Sequence, residues 1–200
     1  MRFEFIAGAL CLEFANTIHN WHAEDPGEEL HAICDLLQWA KEAGLLSSAD
    51  YYRLAAHYNR NPRKAAAALG KGTAARNLLL SIFAGIANGR LVSAARLSEL
   101  NSALAQAPGL LRARKNSGRI ETEWTSAAGG LQQVLFAVLA SAAELLASNR
   151  VARVRSCAST DCTWLFVDES RNRSRRWCDM SDCGNRMKAR RHYQRAKAAQ

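Results

Sequence analysis

Over the first hundred residues, apolar positions recur mostly at helical spacing. Leu10, Phe14 and Ile18 fall four apart with Cys11 and Ala15 beside them, which predicts a helix over 8–22. The turn DPGEE at 25–29 follows. Leu30, Ile33, Cys34, Leu37 and Ala40 then line one face of a second helix, which Gly44 stops. Ser47 or Ser48 caps a third helix over ADYYRLAAHYNR, and Pro62 opens an alanine-rich segment. The stretch TAARNLLLSIFAGIANG (73–89) is a strongly apolar helix ended by Asn88 and Gly89. Gly70 and Gly72 either separate it from 62–69 or merely weaken one long helix. Ser93 caps a further helix over 94–106.

The period then changes. LLRARK and RIETEW alternate on either side of Asn116–Gly118, the pattern of a β-hairpin. A helix over 127–148 follows. Its segment LQQVLFAVLASAAELLA is too short for a membrane span and contains Gln132, Gln133 and Glu144, so it reads as a buried helix. Beyond Asn149–Arg150 the chain turns polar. The expected fold is mainly α with a small β-hairpin: a helical domain over 1–149, then a C-terminal unit over 150–200. That unit is too small and polar to build a core alone and needs a staple.

Charge sharpens this division. The net charge is +9, and 48% of residues are hydrophobic, enough for a core. Residues 151–200 carry twelve Lys and Arg against five Asp and Glu; the first 150 carry fifteen against thirteen. The basicity is therefore regional, and it coincides with four of the six cysteines. The opening residues contain Glu4 and Glu13 and no clear cleavage site, so a cytoplasmic protein is expected. Thiols there stay reduced, and clustered cysteines favour metal over disulfides.

Those cysteines are spaced Cys157-x4-Cys162-x15-Cys178-x4-Cys183. Two pairs of thiols, each within reach of one ion, meet the needs of a tetrahedral site. Four thiolates close the coordination sphere of one structural zinc and leave no catalytic position. Zinc binding then supplies folding energy that burial does not. Within the excursion, TWLFVDE reads as a strand with Trp164 and Phe166 on one face, SRNRS as a turn, and RRW as the return to Cys178. The segment after Cys183 is a good helix former. Knuckle, hairpin and helix make a treble-clef-like four-cysteine zinc finger, with a zinc ribbon as the other layout. Cys11 and Cys34, alone on apolar helix faces, read as small core residues.

The finger carries Arg171, Arg173, Arg175 and Arg176 in the turn, and Arg186, Lys188, Arg190, Arg191 and Arg195 on the helix. Zinc would pin both elements into one basic surface. Such a surface suits DNA: phosphate contacts supply affinity, and some of Arg186, Arg190 and Arg191 are expected to reach base edges. An acidic protein partner is the alternative, and so is RNA, which requires Trp164, Trp177 or Tyr193 to be exposed for stacking.

The residues "C-ASTD-C-TWLFVDESRNRSRRWC-DMSD-CGNR" resemble the CGNR zinc finger, named for the tetrad Cys183-Gly184-Asn185-Arg186. The opening AGALCLEFANTI resembles the start of the ABATE domain that precedes this finger, with Glu13 in place of Asp and Ala15 in place of Val. The resemblance implies a bacterial, stress-induced transcription regulator. It implies Cys157, Cys162, Cys178 and Cys183 as zinc ligands, and DNA as partner on the strength of the basic residues. It supplies no ligand for the first domain.

In that domain Glu13, Asn16 and Thr17 either line a pocket for a small polar effector or satisfy backbone groups. His19, His22 and His31 read as surface or capping residues, and Trp21, Trp39 and Trp124 as core anchors. No phosphate loop, nucleophile elbow or zinc-hydrolase motif is present, so no enzymatic activity is expected. A single finger holds few base contacts, which makes a homodimer on DNA a reasonable expectation.

Overall fold

Helix α4 (Pro62–Ala87) is the axis of the molecule. The computed structural model describes residues 2–106, 111–116, 119–124 and 130–198, with the 111–124 hairpin described by its backbone alone. At 1.5 Å per residue, α4's 26 residues run about 39 Å. Gly70 and Gly72 do not break it. Gly72 instead permits a close approach: a Cβ there would lie 2.6 Å from Leu36 Cδ2 on the neighbouring helix. Around α4 pack α1 (Leu10–Ala15), α2 (Ile33–Glu42), α3 (Ser48–Asn59), α5 (Ala94–Ala105) and α6 (Leu131–Ala147). Leu12, Phe14, Leu36, Leu37, Trp39, Leu79, Phe83, Val134 and Val138 form the fully buried centre, with the Phe14 and Trp39 rings 4.7 Å apart.

Local signals placed most boundaries. Ser47 and Ser93 accept the N–H groups of Asp50 and Arg96 at the starts of α3 and α5. Gly44 and Gly89 take left-handed backbone just past the ends of α2 and α4. The 111–124 hairpin is antiparallel, pairing Leu111 with Trp124 and Asn116 with Arg119 as strands β3 and β4. Its turn at 117–118, the Trp124 side chain and the expected helix start at 127–129 lie outside the described residues.

Within the helical domain two expectations change. The first helix stops at Ala15 rather than running to 22. Thr17 Oγ1 donates to Phe14 O at 2.8 Å, and Asn16 turns its amide toward the C-terminal unit. The chain then forms a small ladder, β1 (Ile18–His19) with β2 (Gly27–Glu28). Glu28 receives a two-pronged bond at 2.6 and 2.7 Å from Arg76, a buried guanidinium on α4. On α2 the buried apolar positions are Ile33, Leu36, Leu37, Trp39 and Ala40, while Cys34 is exposed. Cys11 is fully buried, and desolvation pushes its thiol up to about 12, which keeps it neutral.

After a 3-10 turn (Asn149–Arg153), the finger pairs strands β5 (Val154–Ser156) and β6 (Leu165–Val167). The hairpin partner is therefore the segment before the first cysteine pair, not the RRW return, which contributes one bond from Ala158 N to Arg176 O. Leu165, Phe166 and Val167 are all buried, so the strand has no solvent face. One hydrophobic cluster includes these residues, the four finger cysteines and the helical centre. The finger lacks a core of its own and shares that of the helices.

Candidate metal centre and basic surface

The first cysteine pair sits at the tip of the β5–β6 hairpin. Cys157 N donates to Trp164 O at 2.8 Å, which closes the knuckle. The second pair flanks a tight turn. Asp179 caps this turn by accepting the Ser181 N–H at 2.7 Å, and Gly184 N closes it on Asp179 O. Helix α7 (Asn185–Ala198) starts immediately after. Cys183 thus lies on the turn that leads into the helix.

The four Sγ atoms lie within 4.8 Å of one another, all in buried residues. Cys178 Sγ is 3.6 Å from both Cys162 Sγ and Cys183 Sγ. A zinc ion with Zn–S bonds of about 2.3 Å has tetrahedral S···S edges of about 3.8 Å, so the cluster fits one ion with all four thiolates as ligands. Nearby donors suit a thiolate set: Cys178 N lies 3.5 Å from Cys157 Sγ, and Arg186 Nη2 lies 3.1 Å from Cys183 Sγ. Among the described residues no other group of His, Cys, Asp and Glu gathers at metal-ligand distance, and His19 is bonded to Glu29 and stacked on Trp164.

The CGNR tetrad acquires a separate physical role at each position. Cys183 is a ligand. Gly184 leaves room for Met180, whose Sδ would lie 2.5 Å from an added Cβ. Asn185 Nδ2 donates to Ser181 O at 3.0 Å and ties the helix start to the turn. Arg186 faces the Cys183 sulfur and Asp182.

Sequence comparison agrees with this architecture. The CGNR zinc finger family matches residues 153–196. The ABATE family, described as a putative stress-induced transcription regulator, matches residues 8–149. The chain belongs to the ABATE family. No curated relative matches it. In this ABATE protein the four finger cysteines hold one structural zinc ion.

The structure sorts the expected basic residues. Arg171, Arg173, Arg176, Lys188, Arg191 and Arg195 are exposed, and none forms an ion pair among the described residues. Arg175 does not belong to this surface. Its guanidinium stacks on the Phe166 ring at 4.5 Å and donates to the carbonyls of Trp177, Cys178 and Ile6. Arg186 and Arg190 are exposed but engaged within the finger.

The arginine loop is shaped by Asp168, which sequence reasoning missed. Its buried carboxylate accepts from Ser170 N, Ser170 Oγ and Arg175 N at 3.0, 2.5 and 3.0 Å. Burial alone would raise its pKa; these bonds hold it below the usual carboxylate range. Arg173, at the loop tip, takes left-handed backbone with φ 52°.

Glu13, Asn16 and Thr17 are buried, and the polar atoms an effector would need already serve the backbone. The Glu13 carboxylate accepts the N–H groups of Ile6, Ala7 and Gly8 at 3.1, 2.8 and 3.1 Å. An acid inside the apolar run ALCLEFAN was the available sequence signal for such a buried acceptor.

Proposed function

We propose that the chain is a cytoplasmic DNA-binding transcription regulator, with the zinc finger as its DNA-contacting part. The observation that carries this reading is the exposed set Arg171, Arg173, Arg176, Lys188, Arg191 and Arg195, without ion pairs among the described residues and held on two elements that end and begin at zinc ligands. Phosphate contacts need side chains of this kind, free of internal acidic partners. A helix with exposed cations has the dimensions to enter a major groove. Four thiolates fill a tetrahedral ion, which favours binding over catalysis.

Binding of the zinc-loaded chain to a mixed-sequence duplex, titrated across salt, tests the reading. With about six phosphates neutralised, log affinity falls with log salt at a slope near −5. Joint replacement of Lys188, Arg191 and Arg195 by Ala flattens the slope by about 3 and leaves zinc content unchanged. Absence of salt-dependent binding to any duplex ends the proposal. Sedimentation with and without duplex tests the accompanying expectation of a homodimer on DNA.

RNA is the second reading, because Tyr193 is 70% exposed within the basic helix and available for base stacking. Trp164 is buried and Trp177 half-buried under Arg176, so neither offers an open ring. A Tyr193→Ala variant that loses single-stranded RNA binding while keeping duplex DNA binding would favour a role for RNA.

A further inference from the structure

The basic residues of α7 fall on two opposite sides. At about 100° per residue, Lys188, Arg191 and Arg195 lie within roughly 60° of one another. Arg186 and Arg190 lie one turn apart on the other side, and both turn back to the metal centre. Arg186 Nη2 meets Cys183 Sγ at 3.1 Å and Asp182 at 3.4 Å. Arg190 Nη1 reaches across thirty residues to Thr160 Oγ1 at 2.8 Å and Asp161 Oδ2 at 3.4 Å. Thr160 and Asp161 are the last two residues of the first knuckle, between Cys157 and Cys162, and Thr160 Oγ1 itself donates to Asp161 Oδ1 at 3.0 Å.

Little else holds the helix. Every side chain from Lys188 to Arg195 is exposed, so this stretch of α7 has no apolar stripe to anchor it to the rest of the protein. An unanchored basic helix at the end of a finger presents its cations in no fixed direction. The Arg190 contact supplies what burial does not: it joins the helix to the opposite half of the metal centre.

We propose that Arg190, Thr160 and Asp161 form a brace that aims the Lys188–Arg191–Arg195 face at nucleic acid, so that Arg190 is a positioning residue and not a phosphate ligand. The inference rests on the DNA-binding reading above and deepens it. It assigns an acidic residue, Asp161, a favourable part in binding an anionic partner.

That assignment reverses the sign of a simple charge argument. If Arg190 were a phosphate ligand, Asp161 would merely compete with DNA for it, and Asp161→Asn would tighten binding by releasing Arg190 and raising the net charge. If the three residues form a brace, Asp161→Asn weakens binding although it makes the protein more positive. An exposed ion pair of this kind contributes modestly, so the expected loss is about threefold to fivefold.

The experiment uses the full zinc-loaded chain and a short, labelled, mixed-sequence DNA duplex. Asp161→Asn and Thr160→Val each weaken binding with zinc content and salt slope unchanged, because no phosphate contact is lost. In an Arg190→Ala background, Asp161→Asn has no further effect. Hydrogen exchange of the α7 amides rises in Asp161→Asn with the rest of the chain unaltered. Unchanged or tighter duplex binding by Asp161→Asn overturns the brace while leaving the DNA reading intact. If the wild-type chain shows no salt-dependent duplex binding, the DNA reading falls first and the brace falls with it.

Discussion

Asn16 and Leu165 exchange two hydrogen bonds across 149 residues of chain: Asn16 Nδ2 donates to Leu165 O at 2.9 Å, and Leu165 N donates to Asn16 Oδ1 at 2.8 Å. The side-chain amide acts as a neighbouring strand would. Two residues on, Val167 N donates to Ala7 O at 2.8 Å. The β6 edge that β5 leaves free is therefore covered by the first domain, which prevents an exposed strand edge. Arg175 reaches Ile6 O from the finger, while Glu13 holds the N–H groups of residues 6–8 from the helical side. The N-terminal segment is thus the mortar between helices and finger.

Replacing Asn16 by Ala leaves a buried N–H and a buried C=O on Leu165 without partners. Each unsatisfied group costs about 1–3 kcal/mol. Urea unfolding of the zinc-loaded Asn16→Ala chain should show a loss of about 2–4 kcal/mol, with faster zinc release to a chelator. A loss below about 0.5 kcal/mol would mean that the amide pairing is energetically idle.

The sequence made local features legible and tertiary ones not. Ser47, Pro62, Ser93 and the Asn88–Gly89 stop act within a few residues of themselves, and the cysteine spacing encodes its own geometry. The Asn16 pairing depends on a strand 149 residues away, so the apolar spacing of Leu10, Phe14 and Ile18 suggested a longer helix than forms. Charge patterning cannot separate Arg175, stacked on Phe166, from its neighbour Arg176, which is exposed, because the difference lies in what each side chain meets after folding. Cys34 follows the same logic: Leu36, not Cys34, faces α4, and only the packing angle of two helices decides which.

The two glycines of α4 should respond in opposite directions to the same substitution. A Cβ at Gly70 meets nothing within 4 Å, and the residue is exposed. Gly70→Ala should therefore stabilise by about 0.5–1 kcal/mol through helix propensity and the unfolded state. At Gly72 the added methyl would strike Leu36 Cδ2, so Gly72→Ala should lose about 1–3 kcal/mol by overpacking. Thermal unfolding of the two variants side by side checks the sign of each. Equal shifts would show that α2 moves away at little cost.

Glu13 predicts an unusual pH dependence. Burial pushes its carboxyl above the ordinary range, and this outweighs the three N–H donors and the nearby Arg175 charge that pull it back. A folded-state pKa above the unfolded value means that the folded chain binds the proton more tightly. Its contribution to stability is full below the unfolded pKa, about 4.3, and is lost as pH rises through the folded value. Asp168, Asp35 and Glu42 are held below their usual range, so their contributions stay constant above about pH 5. Urea unfolding of wild type and Glu13→Gln at pH 7 and pH 5 isolates the effect, since every other group is common to both. The wild-type advantage should grow on acidification. A shrinking advantage would show that the backbone donors dominate burial.

Zinc removal should reach beyond the finger. Leu165, Phe166 and Val167 are buried in the same cluster as Phe14, Leu79 and Phe83, and the backbone of residues 6–8 bonds to both units. Without the ion, the four thiols no longer hold the knuckle against the turn before α7, and β6 loses the frame that presses it onto α1 and α4. Hydrogen exchange after chelation should therefore accelerate in 150–198, in the segment 2–8 and in α1, while α3, which packs chiefly on α2 and α4, keeps its protection. Re-addition of zinc should restore all three regions together. Acceleration confined to 150–198 would mean that the helical domain stands alone and that the shared core contributes nothing to it; acceleration along the whole chain would mean that zinc governs one global unfolding unit.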